Sequence, residues 1–381
     1  MPTNINGNTG IDKVQDGTVV NADIDTLDAS KLTGSIAAAR IANNTIDSAH
    51  IASGAVDDAH LATGITASKL TGALPAISAA SLTNVPKDVT VGGRKNLIIN
   101  GGMDVWQRGT SFSHTNGKVY TADRFWFNPQ SNASTYSRQA VTSPIAGMAS
   151  QYCLRSQRNS GGSSTGLTYF STDLESSNAY ACRGRKLTLS FYARKGADYS
   201  ATSNAFAFGI VSGKGTDQTL VSGYTSGAYV ANQSNTLTTS WQRFTVTTSS
   251  VIADDITQIG LQGTRSSTGT AGTNDYFEIT GIQLEISDEA TAFEYRSYGE
   301  ELTLCQRYFQ LFREGAGYFA GNGVGSNRID CGLPLAVPLR VSPSFTSNGY
   351  LTHRSGNANS SANQVTAGEY NAYSNMLKIR C

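Results

Sequence analysis

The feature that most limits what this chain can fold into is a repeat too poor in apolar side chains to fold alone. Leu27, Leu32, Ile36, Ile41, Ile46, Ile51, Val56, Leu61, Ile65 and Leu70 follow one another five residues apart, with two steps of four. Neither 3.5 nor 3.6 divides that spacing, which excludes a coiled coil and an ordinary amphipathic helix. Every second unit reads apolar, three residues, cation or histidine, apolar, as in Ile36-AAA-Arg40-Ile41 and Ile46-DSA-His50-Ile51. Each decad offers two apolar side chains. Burying one contributes roughly 1.5–3 kcal/mol, whereas ordering each residue costs about 1.5 kcal/mol, so an isolated copy stays unfolded. Order requires copies of the row to bury one another, in successive coils of a single-chain solenoid or among companion chains around an axis. The expectation adopted is three companion chains forming a shaft over residues 21–90, closed by the prolines Pro75 and Pro86. His50 and His60 suggest metal-holding rings on a threefold axis. Lys31, Arg40 and Lys69 occupy the equivalent place, and unpaired cations do not line a dry axis, so these positions face solvent and no metal is expected.

Beyond Lys87 the composition changes. Charged residues are 15% of the chain and the net charge is +1, so solubility rests on neutral polar groups, and 39 glycines against 8 prolines favour short strands and tight turns. The near-neutral balance argues against a nucleic-acid partner. No apolar run reaches the length of a spanning helix, so membrane insertion is not expected, and the first ten residues lack the pattern of a secretory signal. The five cysteines are widely spaced without a CxxC, which reads as buried free thiols.

Clean alternation then appears. In "RKLTLSFYARKG" Leu187, Leu189, Phe191 and Ala193 share one face, and "NAFAFGIVSG" and "WQRFTVTT" behave alike. In "DYFEITGIQLEI" the apolar parity switches at Gly281, the signature of a β-bulge. Eight or more such runs over about 200 residues predict a two-sheet jelly roll. "RSYGEELTLCQRYFQLF" predicts a helix, capped by Ser297 with Glu300, whose stripe is Leu302, Cys305, Phe309 and Phe312 and which stops at Gly315 and Gly317. Short strands follow, ending on "MLKIRC". The expected fold class is therefore mainly β: a trimeric repeat shaft, a jelly-roll sandwich over 91–295, and a small β-rich C-terminal domain with one helix over 296–381.

"NLIINGGMDVWQRG", "YTADRFWF" and "ITGIQLEISDEATAFEYRSYGEELTLCQRYFQ" resemble sequences of tailed-bacteriophage fibre and receptor-binding proteins, over roughly residues 91–312. "NLIINGGMDVW" and "EITGIQLE" also look like the first and last strands of carbohydrate-binding jelly-roll modules. The resemblance implies a homotrimeric virion appendage, tail or capsid, anchored to other virion proteins through about residues 1–20 and adhering to host-surface polysaccharide without cofactors. Aromatic rings in such modules stack on sugars. The alternation of "DRFWF" puts Trp126 outward beside Arg124, while Tyr224 and Tyr229 lie in a Gly/Ser-rich loop with little core to join; these four are the candidate glycan-binding residues. Trp106 and Trp241 read as packing. The resemblance also brings a structural calcium near the first and last strands, where Asp104 and Glu278 fall, but the ligand pattern is not evident.

Catalysis is not expected. The carboxylate pairs Asp173 with Glu175, Asp275 with Glu278 and Glu300 with Glu301 read as solvated surface, and no GxSxG, HExxH or P-loop is present. The rival readings are a purely structural decoration or connector fibre and a glycan depolymerase. The shaft generates one prediction: the full chain sediments as a trimer, and Ile46→Asp, which puts a charge into the shared row, shifts it to monomer in sedimentation velocity.

Overall fold

The computed structural model describes residue 51, residues 94–312, 321–323, 329–344 and four further strands between 351 and 380; for 321–323, 329–331 and 351–380 it describes backbone alone. The chain divides into two compact units, Met1–Leu82 and Thr83–Cys381. The anchoring segment and the repeat row from Leu27 to Leu70 lie outside the described residues, Ile51 apart; Ile51 is exposed in the single chain.

The strands of the sandwich are β1 (Ser111–His114), β2 (Val119–Tyr120), β3 (Trp126–Pro129), β4 (Ser134–Ala140), β5 (Tyr152–Arg158), β6 (Leu167–Asp173), β7 (Thr188–Lys195), β8 (Ala205–Lys214), β9 (Thr225–Thr236), β10 (Gln242–Thr247), β11 (Gln258–Ser266) and β12 (Tyr276–Glu285). They form two antiparallel sheets in the orders β1-β4-β5-β12-β7-β10 and β2-β3-β6-β11-β8-β9. The chain crosses from one sheet to the other at every connection except β2 to β3, β4 to β5 and β8 to β9, as a jelly roll requires.

Alternation explains why these runs pair this way. Their inward residues are large rings that no single sheet can cover, so the two sheets close on each other. Phe127 of β3 stacks on Tyr136 of β4 with centroids 4.0 Å apart, Phe206 of β8 on Phe277 of β12 at 4.6 Å, and Phe191 of β7 meets Phe208 of β8 edge-on at 5.0 Å. Each pair spans the gap between sheets. Phe170 sits amid Phe125, Phe127, Phe206 and Phe208, fully buried. The β12 register shifts between Thr280 and Gln283, where Gly281 takes φ 62°; a Cβ there would collide with Met148 Sδ. The parity switch at Gly281 is thus a bulge, with the loop bearing Met148 lying on the outer face of the first sheet.

One expected strand is absent. Residues 96–109 form turns, with Asn100 and Met103 at positive φ, because the Asn100 side chain takes over the backbone's partners, accepting from Val105 N at 2.9 Å and donating to Val105 O at 2.9 Å. Cys153, Cys182 and Cys305 are buried free thiols.

A short helix, α1 (Ser176–Ala179), follows β6, and α2 (Tyr298–Gln306) follows the sandwich. Ser297 caps α2, its hydroxyl accepting from Glu300 N at 3.3 Å. The Glu300 side chain does not close the box; it pairs with Arg94. The helix ends at Gln306, earlier than expected, and buries Glu301 and Cys305 instead of Leu302. Strands β13 (Gly321–Gly323), β14 (Ile329–Pro334), β15 (Leu351–Ser355), β16 (Ala358–Ala362), β17 (Thr366–Asn371) and β18 (Met376–Arg380) make a sheet of order β13-β14-β18-β17 and a β15-β16 hairpin. Removing the central ring tests the packing: Phe170→Ala is expected to lower unfolding free energy by about 3–5 kcal/mol in denaturant titration.

Candidate functional site

The structure gathers three of the four candidate residues, but around a carboxylate of the protein. Asp173, the last residue of β6, accepts from Trp126 Nε1 at 3.1 Å, Tyr224 Oη at 2.7 Å and Leu220 N at 2.8 Å, and its backbone oxygen accepts from the Arg124 guanidinium. Trp126 does project from the outer face of the second sheet, in register with Tyr120 and Ser171. It is nevertheless buried, since the Lys118 ammonium lies 5.2 Å over its ring and the turn carrying Leu220 and Tyr224 closes on the same carboxylate. Tyr224, expected in an open loop, is likewise buried, its hydroxyl lying so close over Gly260 that a Cβ there would collide with it. Burial and the neighbouring Asp173 charge push the Tyr224 hydroxyl pKa upward, so it remains a donor. Neither Trp126 nor Tyr224 offers a free ring to a sugar.

The same region receives the end of α2. Arg307 forms a fork on Glu175, Nε to Oε1 at 2.8 Å and Nη2 to Oε2 at 3.1 Å, and Tyr308 Oη donates to Glu175 Oε1 at 2.5 Å. The Tyr308 ring lies under the Arg124 guanidinium at 3.5 Å. Phe309 carries the Arg108 guanidinium at 3.7 Å, and its carbonyl accepts from Gln107 Nε2 at 2.9 Å. The three quoted motifs "WQRG", "ADRF" and "CQRYF" therefore meet as a clasp. Its requirements also explain the helix's early end: Tyr308 and Phe309 turn towards Arg124 and Arg108 instead of continuing the expected stripe, while Phe312 is exposed. The cavity enclosed by Ile98, Arg124, Asp173, Glu175 and Tyr308 has a volume of about 10 Å³, room for one water at most.

The paired carboxylates differ from their expected solvation. Asp275 is buried between Arg158, at 3.0 Å, and Arg265, while Glu278 is buried between Arg155 and Arg194, both at 2.6 Å. Glu175 is taken by Arg307, whereas Glu300, paired with Arg94, stays at the surface as expected, its side chain 41% exposed. Arg265 apart, which precedes Asp275 by ten residues, these arginines come from distant segments, so no local sequence pattern announces them. Asp104 is pushed up to about 6 by burial and by the charge of Glu301, but Glu278 is committed to its two arginines and does not share a site with it. Among the described residues no three His, Cys, Asp or Glu side chains are grouped as metal ligands, and no helix is long and apolar enough to cross a membrane.

Tyr229 is the candidate that stays open. It stands on β9 opposite Val211, exposed, and its hydroxyl donates to Gln262 Oε1 at 2.9 Å. Gln262 and Thr264 on β11, Tyr169 on β6 and Asn128 on β3 are partly exposed along the same outer face, paired across the strands as Thr264 to Tyr169 and Tyr169 to Asn128. The result is an uncharged surface of hydroxyls and amides beside a fixed aromatic ring, which suits contact with a neutral polyol.

No family model and no curated protein matches the sequence. Among solved structures the chain is similar to the enzymatically active domain of tailspike protein 4 of bacteriophage CBA120, at 11% identity and TM-score 0.32, over 50% of this chain and 21% of that one. It is similar to a CBM4 structure at 16% identity and TM-score 0.27, over 49% of this chain and 97% of that one. A cyclase from Fischerella sp. TAU matches at 11% identity and TM-score 0.34, over 51% of this chain and 99% of that one.

The clasp predicts a pH dependence. Burial raises the Glu175 pKa, but the hydrogen bonds from Arg307 and Tyr308 outweigh it and hold the carboxyl below its ordinary value of 4.5. A depressed folded value means that the stabilisation is complete above 4.5 and is lost as pH falls through the lower folded value. The near-UV circular dichroism of the clasp tyrosine is expected to decline in that acid window, and Glu175→Gln to flatten the transition.

Proposed function

We propose that the chain is a non-catalytic, homotrimeric virion fibre that adheres to host-surface glycan through its sandwich. The observation that carries the glycan reading is Tyr229: an exposed ring, fixed by its bond to Gln262, on a sheet face lined with neutral hydrogen-bonding groups. The non-catalytic reading is supported by the carboxylates. Two carboxyl groups flanking a cleft would have to be free to exchange protons, whereas Asp275, Glu278, Glu175 and Glu300 each bond to arginine. The trimer rests on the repeat row, which cannot bury its apolar side chains without companions. Three linked copies also suit weak sugar sites, because avidity rises without new contacts.

A glycan array on the purified full chain tests the reading. Binding to host polysaccharide is expected without release of reducing ends. Tyr229→Ala is expected to weaken it about tenfold, the factor that ~1.4 kcal/mol of ring contact represents. Absence of any glycan signal would favour the structural-fibre reading, and release of reducing ends would favour the depolymerase.

A further inference from the structure

The opposite face of the sandwich carries a feature that the Tyr229 surface lacks. Ser137, Arg155, Glu278 and Arg194 are consecutive register neighbours across β4, β5, β12 and β7, a single row on the outer face of the first sheet. Glu278 is buried at its centre. Its Oε1 accepts from Arg155 Nε at 2.9 Å and Nη2 at 2.6 Å, and its Oε2 accepts from Arg194 Nε at 2.6 Å. Tyr276 lies under the Arg155 guanidinium at 3.9 Å, and Trp241 under that of Arg194 at 5.0 Å. Each cation is held on one edge by the carboxylate and on one face by a ring.

One carboxylate satisfies one positive charge, and here there are two. The row therefore keeps an excess of one unit on a partly dehydrated surface, where ionic attraction exceeds its strength in bulk water. Among the described residues Arg155 Nη1 and both terminal nitrogens of Arg194 make no hydrogen bond, and the two side chains are 24% and 16% exposed. These free donors are pre-positioned, so an incoming carboxylate meets them without first ordering two long side chains. Half of the face is closed, because Ile145 and Met148 pack on Tyr192 with Val141, Trp241 and Phe293 against them. The open half is the one with the arginines and the ring of Tyr276. Rings give area to the flat side of a sugar, and guanidinium groups give a fork to a carboxylate.

We propose that this row binds an acidic polysaccharide, with uronate carboxylates on the free edges of Arg155 and Arg194 and a sugar ring beside Tyr276. The site lies on the other sheet from Tyr229 and rests on its own residues.

The probes are polygalacturonate and its methyl-esterified form, which share a backbone and differ in charge, measured by calorimetry on the full chain at low salt. Polygalacturonate is expected to bind at least tenfold more tightly than the ester, and rising salt to weaken it. Arg194→Gln leaves Glu278 paired with Arg155 and is expected to cost about tenfold in polygalacturonate affinity while Tyr229-dependent glycan binding persists. Should Arg194→Gln fail to fold, Arg194→Lys keeps the charge beside Glu278 and removes the fork, and the same loss is expected. Equal binding of the two polymers, no binding of polygalacturonate, or full affinity in the folded Arg194 variant would overturn the proposal. Neutral-glycan binding that survives such a result leaves the adhesive reading standing; loss of all glycan binding sinks both.

Discussion

The slab of aromatic rings between the two sheets is the constraint from which the rest follows. Phe127 on Tyr136, Phe206 on Phe277 and Phe191 on Phe208 fill the gap so completely that charged side chains are driven to the outer faces and ends of the sandwich. Of the carboxylates that stay buried, Asp275 and Glu278 each hold two arginines, Asp123 and Glu301 one each, and Glu285 is met by Thr291 and Gln283. A buried carboxylate with a single broken partner would cost several kcal/mol, which explains why the pairs are so fully enclosed.

What the amino-acid pattern reveals depends on how far apart the interacting residues lie. The strands around Leu189 and Phe208, the bulge at Gly281 and the cap at Ser297 are all legible, because period-two alternation, a parity switch and a helix start are local signals. The burial of Trp126 is not, although its direction is read properly. Alternation sets which face a side chain takes, while the turn from Leu220 to Tyr224 that closes over that face is some hundred residues away. The acidic pairs fail for the same reason, since Arg155 and Arg194 reach Glu278 from different strands. Helix α2 stops at Gln306 because cation–π partners for Tyr308 and Phe309, at Arg124 and Arg108, compete with one more turn.

A division of labour results. The residues that carry the resemblance to phage fibre sequences, in "WQRG", "ADRF" and "CQRYF", are spent on the clasp that fixes the end of α2 to the sandwich. The faces left for contact are the neutral one around Tyr229 and the cationic one around Arg155 and Arg194. Neither is marked by a motif, and each becomes visible only when strands distant in the chain are set in register.

The central claim is that ligand is met on these outer faces and not at the clasp. Hydrogen–deuterium exchange on the full chain, with and without saturating host polysaccharide, tests it most directly. The account predicts new protection in β9 and β11, or in β5, β7 and β12, with Arg124–Trp126 and the Leu220–Tyr224 turn unchanged. Protection confined to that turn and to the residues around Asp173 would contradict it.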